Sequence, residues 1–342
     1  MRKLLNILLT IVIATLAVFS LTACSSDDDG IKSNAKGLLI NKVKGVYIIY
    51  DYVPETELTD GVLDIGAILE DEGYEGEFKI KKGAFSGNTD IVKLIVPDTV
   101  KEIAKGAFEK MKNLKELEVP YIGKTINSDA YYRESADAVD KAVDAEKTLS
   151  HFFGADEYAE GKQITVAGTT CYMPVTLDTI TVNATKYYQD PNEVKENYYS
   201  IPKDAFSGAT NIKKVNLKGA YLGAIGENAF SGCTALSTIT VPATVKTIYK
   251  DAFKGCTKLE SVIIDSQMTD KSLVVKEGVF SGCIKMNYIG SGAVENLTLD
   301  FGKVASADKN AFDFGRENAQ YNVVNTIENL TIALGETKIV NA

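Results

Sequence analysis

Ile225-Gly-Glu-Asn-Ala229-Phe230-Ser-Gly-Cys233-Thr-Ala-Leu236-Ser-Thr-Ile239-Thr-Val241-Pro242-Ala-Thr-Val245-Lys-Thr runs straight into Ile248-Tyr-Lys-Asp-Ala252-Phe253-Lys-Gly-Cys256-Thr-Lys-Leu259-Glu-Ser-Val262-Ile-Ile264. The Ile, Ala-Phe, Cys, Leu and Ile/Val positions recur 23 residues apart. A fixed period of that size is the mark of a stacked repeat, in which no unit buries its apolar face alone. Within Leu-x-x-Ile-x-Val, the fourth and sixth residues point one way and the fifth the other, the period of two of a strand with one buried face. Successive copies are then expected to pair in parallel. The small Ala makes room for the Phe ring at a corner. Ser-Gly and Lys-Gly after it supply a turn, and Pro97, Pro120 and Pro242 end strands where a missing N–H costs least.

Working outward, Ala84-Phe85-Ser-Gly and Ala107-Phe108 lie 23 residues apart, each followed by a strand ending in Val96-Pro97 or Val119-Pro120. Ala205-Phe206, Val279-Phe280-Ser-Gly-Cys283 and Ala311-Phe312 continue the series with widening gaps. Between Tyr121 and residue 176 the pattern lapses. Apolar residues at Ala136, Val139, Val143 and Leu149 have helical spacing, which predicts a helix over Glu134–Phe153. The repeat strand returns as Leu177-Asp-Thr-Ile180-Thr-Val182. Val43–Tyr50 and Val62–Ile68 read as strands of an N-terminal cap over 37–76, and Glu295–Leu299 and Glu328–Ile332 as late strands. The fold expected is a β-rich α/β solenoid, with repeats over 77–120, an insert at 121–176, and repeats with a C-terminal cap over 177–342.

These motifs resemble the BspA-type leucine-rich repeat of bacterial surface proteins. Ala-Phe-Ser-Gly-Cys and Leu-x-x-Ile-x-Val-Pro carry the likeness over roughly 77–120 and 177–315. The resemblance implies adhesion or host interaction and names no ligand. It departs from the pattern at Asn88, Met111 and Ala209 in the Cys slot and at Val279 in the Ala slot.

Arg2 and Lys3, the apolar run Leu4–Ser20 and the small residues before Cys24 read as a secretory signal over 1–23. Leu21-Thr-Ala-Cys24 resembles the bacterial lipobox, which implies cleavage before Cys24 and lipid on its thiol, anchoring the chain to a membrane. Ser25-Ser-Asp-Asp-Asp29 opens a flexible tether over 24–36 and resembles surface-export signals of some Gram-negative lipoproteins. The expected address is therefore the outer membrane, surface-exposed.

The formal charge is −9, and loss of Arg2 and Lys3 with the signal leaves −11. Without a basic stretch, nucleic-acid binding is disfavoured. The single His, His151, sits in a Phe-Phe-Gly setting that suits packing, and no nucleophile–base signature accompanies it. Cys233, Cys256 and Cys283 share one slot that elsewhere holds Asn, Met or Ala. That points to a compact buried side chain before a disulfide or a metal. No metal or cofactor is expected, and no enzyme.

Two surfaces are candidates for binding. Nine of the 17 Tyr fall within 121–200, among them Tyr131, Tyr132, Tyr158, Tyr187 and Tyr188, and Tyr is favoured at recognition surfaces. The second is the outward strand face, with Thr179, Thr181, Lys214, Asn216, Thr238 and Thr240. The leading expectation is a cell-surface binding module for an extracellular protein or glycan. The alternative is a structural envelope scaffold with no external ligand.

Overall fold

The protein is described by a computed structural model covering residues 31–126, 144–184, 199–219, 221–265, 272–285, 288–290, 296–300 and 329–333. Each repeat forms a rung with two short strands, one on either side of the Ala-Phe turn. The N-terminal strands are β1 (Ile31–Ala35), β2 (Leu38–Val43), β3 (Val46–Tyr52), β4 (Val62–Asp64), β5 (Phe78–Ile80), β6 (Lys93–Ile95), β7 (Val100–Ile103) and β8 (Glu116–Val119). A hairpin follows, β9 (Gly161–Val166) with β10 (Thr169–Pro174), and then β11 (Thr179–Asn183) and β12 (Tyr199–Ile201). The C-terminal rungs supply β13 (Lys214–Lys218), β14 (Leu222–Ile225), β15 (Thr238–Val241), β16 (Thr247–Ile248), β17 (Ser261–Ile264), β18 (Ser272–Val275), β19 (Tyr288–Gly290), β20 (Asn296–Asp300) and β21 (Asn329–Ala333).

The Leu-x-x-Ile-x-Val strands build one parallel sheet of eight, β4-β6-β8-β11-β13-β15-β17-β19. Its buried row runs in register through Leu63, Leu94, Leu117, Ile180, Val215, Ile239 and Val262, none more than 3% exposed. The strands before Ala-Phe build a second wall in two pieces. One is the five-stranded sheet β1-β2-β3-β5-β7 and the other the parallel sheet β12-β14-β16-β18-β20-β21. The Phe rings stack between the walls: Phe206 to Phe230 at 4.9 Å, Phe230 to Phe253 at 5.2 Å and Phe253 to Phe280 at 5.8 Å between centroids.

One backbone demand explains the residue before Ala. Gly83, Gly106, Asp204, Asn228, Asp251 and Gly278 all have φ between 53° and 71°. Only Gly, and at lower cost than other residues Asn and Asp, enter that left-handed region readily.

Several expectations change. Ile31–Ala35, expected to lie in the tether, form a strand that pairs antiparallel with β2, and the rest of that stretch, 24–30, lies outside the described residues. Val43–Tyr50 is split by a tight turn at Lys44-Gly45, both at positive φ. Val62–Ile68 is a strand only to Asp64, whose carboxylate accepts from the Ala67 N–H at 3.0 Å and starts helix α1 (Ile65–Asp71). Its apolar residues Ile65 and Leu69 are buried against the end of the array. The helix predicted over Glu134–Phe153 is absent from its described part. Ala145–Lys147 and Leu149–Phe152 are single 3-10 turns, closed by local bonds such as His151 N–H to the Thr148 carbonyl at 3.1 Å, and their remaining backbone groups serve neighbouring rungs. The N–H of Gly106 donates to the His151 carbonyl at 2.9 Å, that of Phe108 to Phe152 at 3.0 Å, and that of Leu149 to Ala205 at 2.8 Å.

These bonds tie the described residues 144–182 into the stack as an enlarged rung. β8 and β11 pair directly across it, Glu116 opposite Thr179. Phe152 and Phe153, both buried, occupy the Ala-Phe position. The β9–β10 hairpin reaches the next turn through the Ala167 N–H, which donates to the Ser207 carbonyl at 2.9 Å. Two buried tyrosines seal the gap in the second wall. The Tyr121 hydroxyl donates to the Val100 carbonyl at 3.2 Å, and the Tyr199 hydroxyl accepts from the Ile122 N–H at 2.9 Å.

Candidate binding face

Strand pairing decides which outward residues meet. Thr179 lies opposite Lys214, and Lys214 opposite Thr238. Two residues on, Thr181 lies opposite Asn216, with Thr240 the matching position on β15. Parallel strands sit about 4.8 Å apart, so all six predicted strand-face residues form one patch three strands wide. Lys218, four residues beyond Lys214, continues the β13 row opposite Asn183.

The patch is ordered by its own hydrogen bonds. The Asn216 amide donates to the Thr181 hydroxyl at 3.1 Å, and the Thr238 and Ser261 hydroxyls share a bond of 2.7 Å. The Asn183 amide donates to Glu118. Thr181 is only 6% exposed, so it sets the floor of the patch, while Lys214, Lys218 and Thr240 stand up from it. An exposed apolar side chain, Ile263, is first met one strand beyond, opposite Thr240. On the N-terminal side the face turns acidic, with Glu116 bridged to Lys93 at 3.5 Å.

Of the tyrosine candidates, Tyr131, Tyr132, Tyr187 and Tyr188 lie outside the described residues. Tyr158 does not join the strand face. Its ring packs at the foot of the hairpin, where a methyl group on Gly161 would come within 2.5 Å of it. Its hydroxyl is buried without a hydrogen-bond partner, and burial pushes its pKa up. Cys24 also lies outside the described residues.

The remaining reactive groups serve packing. The Cys233, Cys256 and Cys283 thiols are free and donate to the Phe206, Phe230 and Phe253 carbonyls of the preceding rung at 3.0–3.1 Å. His151 is buried, with Nε2 held 2.9 Å from the Ile103 carbonyl, and burial lowers its pKa. Among the described residues, no three His, Cys, Asp or Glu side chains are placed to hold a metal, and no helix is long and apolar enough to cross a membrane. A groove of about 540 Å³ at the N-terminal end, lined by Pro54, Glu55, Glu57, Leu58, Asp90 and Val92, contains none of the predicted site residues.

Residues 78–186 and 185–305 match the BspA type Leucine rich repeat region in six copies. The chain belongs to this family. Such repeats are generally non-enzymatic scaffolds with a protein-interaction or surface role, and proteins that carry them are typically found at the cell surface. No protein of curated function matches the chain. Among solved structures, it is similar to the leucine rich repeat protein of T. pallidum, with 17% identity, 79% of this chain and 86% of that chain covered, and a TM-score of 0.34. A leucine-rich repeat protein from Bacteroides ovatus shares 15% identity over 91% of this chain and 76% of that one, with a TM-score of 0.31. A leucine rich cell surface protein from Faecalibacterium prausnitzii shares 14% over 78% and 96%, with a TM-score of 0.22. Superposition at this level carries no argument, so the family match and the strand register bear the assignment.

Proposed function

We propose that the protein is a non-enzymatic surface lipoprotein, held to the outer membrane by lipid on Cys24, that binds an extracellular protein or glycan. Binding takes place on the outward face of the eight-stranded sheet. The observation that supports this is the patch over β11, β13 and β15. Its polar side chains are set in register by the strand pairing, and Thr181, Asn216 and Thr238 are held by side-chain hydrogen bonds, so those three lose little freedom when a partner docks. A flat, preorganised surface of this kind suits recognition and offers no enclosed pocket for chemistry.

The test is binding to a panel of matrix proteins, mucins and glycans, run beside Thr179→Tyr/Thr240→Tyr. Both positions lie on strands, where Tyr is well tolerated, and the added rings cover the patch whatever the partner's charge. Loss of binding with an unchanged melting temperature supports the strand face; undiminished binding refutes it. Lipid attachment is checked separately by the mass of the mature N-terminus, which the Cys24→Ala variant should lack.

A further inference from the structure

We propose that the partner of the strand face is an acidic glycan, a linear polysaccharide bearing carboxylate or sulfate groups, with Lys214 and Lys218 making the anion contacts. This rests on the reading of that face as the binding surface and goes further by assigning the chemistry of the ligand.

Three observations lead to it. First, β13 presents Lys214, Asn216 and Lys218 on one side, with Val215 and Leu217 buried between them. At about 3.3 Å per residue the two ammonium-bearing positions are roughly 13 Å apart along the strand. Second, both lysines are exposed and neither has an acidic partner among the described residues. By contrast Lys213, just before β13, is bridged to Asp178 at 3.3 Å, and Lys93 on β6 to Glu116 at 3.5 Å. In a chain of net charge −9, two unpaired cations on one polar strand mark a local preference for anions that the whole molecule lacks. Third, the flanking residues Thr179, Thr181, Asn183, Thr238 and Thr240 are polar, and the exposed apolar Ile263 stands at the margin of the patch, opposite Thr240, not at its centre. A protein partner normally needs a buried aromatic or aliphatic hot spot at the centre of its interface. Hydroxyl, amide and ammonium groups in a flat array instead match a polyhydroxylated, negatively charged chain.

Exposed charge pairs are individually weak, so affinity depends on several anionic groups engaging together and falls as salt is added. The experiment uses the full chain purified in detergent and three immobilised probes: chondroitin sulfate, neutral dextran and poly-glutamate. The expected result is retention on chondroitin sulfate, little on dextran, and weaker retention on poly-glutamate. Lys214→Gln/Lys218→Gln should reduce chondroitin sulfate binding about tenfold and flatten its salt dependence, with the melting temperature unchanged. Equal or stronger binding of poly-glutamate overturns the glycan assignment in favour of an acidic protein. Absence of chondroitin sulfate binding, or binding untouched by the double Gln variant, overturns the anion assignment. If a panel ligand is lost on Thr179→Tyr/Thr240→Tyr but retained on the Gln variant, the strand face stands and the acidic-glycan assignment falls.

Discussion

Replacing Phe230 by Ala should cost more than almost any other single change, and the structure says why. The ring is fully buried. It lies 4.9 Å from the Phe206 ring at an interplanar angle of 15° and 5.2 Å from the Phe253 ring at 3°. Truncating a buried Phe to Ala leaves a cavity and costs about 3–5 kcal/mol. Each lost ring pair accounts for about 0.5–1.5 kcal/mol beyond the area it buries, which places Phe230→Ala near the upper end. Phe230→Leu keeps most of the apolar volume and loses both ring pairs, so its cost should be about 1–2 kcal/mol. Urea unfolding followed by circular dichroism and by tyrosine fluorescence, usable because the chain has no Trp, measures both. The two probes must agree before a single free energy is assigned, since stacked repeats can unfold in parts. A cost for the Ala variant under about 1 kcal/mol, or equal costs for Ala and Leu, would refute the stacked ladder.

Three other outcomes are expected. Asp204→Asn should stabilise by about 1 kcal/mol at neutral pH, because one carboxylate oxygen of Asp204 is buried without a partner and the equivalent slot already holds Asn228. Burial raises the Asp204 pKa. The folded state therefore keeps its proton to higher pH, and the gain from Asn should fade as acid protonates the carboxyl in both states; a gain independent of pH contradicts this. The Cys171 and Cys233 thiols are pushed up to about 12 by burial, so the folded protein should resist a thiol-labelling reagent that reacts once urea is added. The same shift predicts stability that is whole below the unfolded thiol's pKa and declines as pH rises from there towards 12. Asn228→Val should cost about 1–2 kcal/mol, because a β-branched side chain is strained at its φ of 53°, whereas Asn228→Gly should be nearly neutral.

The strand register was legible in the sequence because the Leu-x-x-Ile-x-Val motif marks the same position in each rung even where the period breaks. Leu94 and Leu117, and Ile239 and Val262, align by the 23-residue spacing, whereas Ile180 aligns with Leu117 only through the recurring strand motif. The second strand of each rung was not, since Leu222–Ile225 and Thr247–Ile248 are too short to show alternation. The left-handed slot was hidden by residue identity. Gly106, Asp204, Asn228 and Asp251 look unrelated until their shared positive φ is seen. The enlarged rung failed for a different reason. His151-Phe152-Phe153 joins the ladder through backbone bonds to Gly106 and Phe108, partners more than forty residues away in the chain, and helical spacing of the intervening apolar residues says nothing of them. On the candidate site, the recurring strand motif placed Thr179, Thr181, Lys214, Asn216, Thr238 and Thr240 on one face. The bonds that hold Thr181, Asn216 and Thr238, and the lack of an acidic partner for Lys214 and Lys218 among the described residues, depend on side-chain geometry and could not be read from spacing.

The most direct test of the strand face as the binding surface is hydrogen exchange of the whole protein with and without saturating chondroitin sulfate. Slower exchange confined to Thr179–Asn183, Lys214–Lys218 and Thr238–Val241 is the predicted result. Slowing restricted to the tyrosine-rich stretches 127–143 and 185–198, with those three strands unchanged, would contradict it.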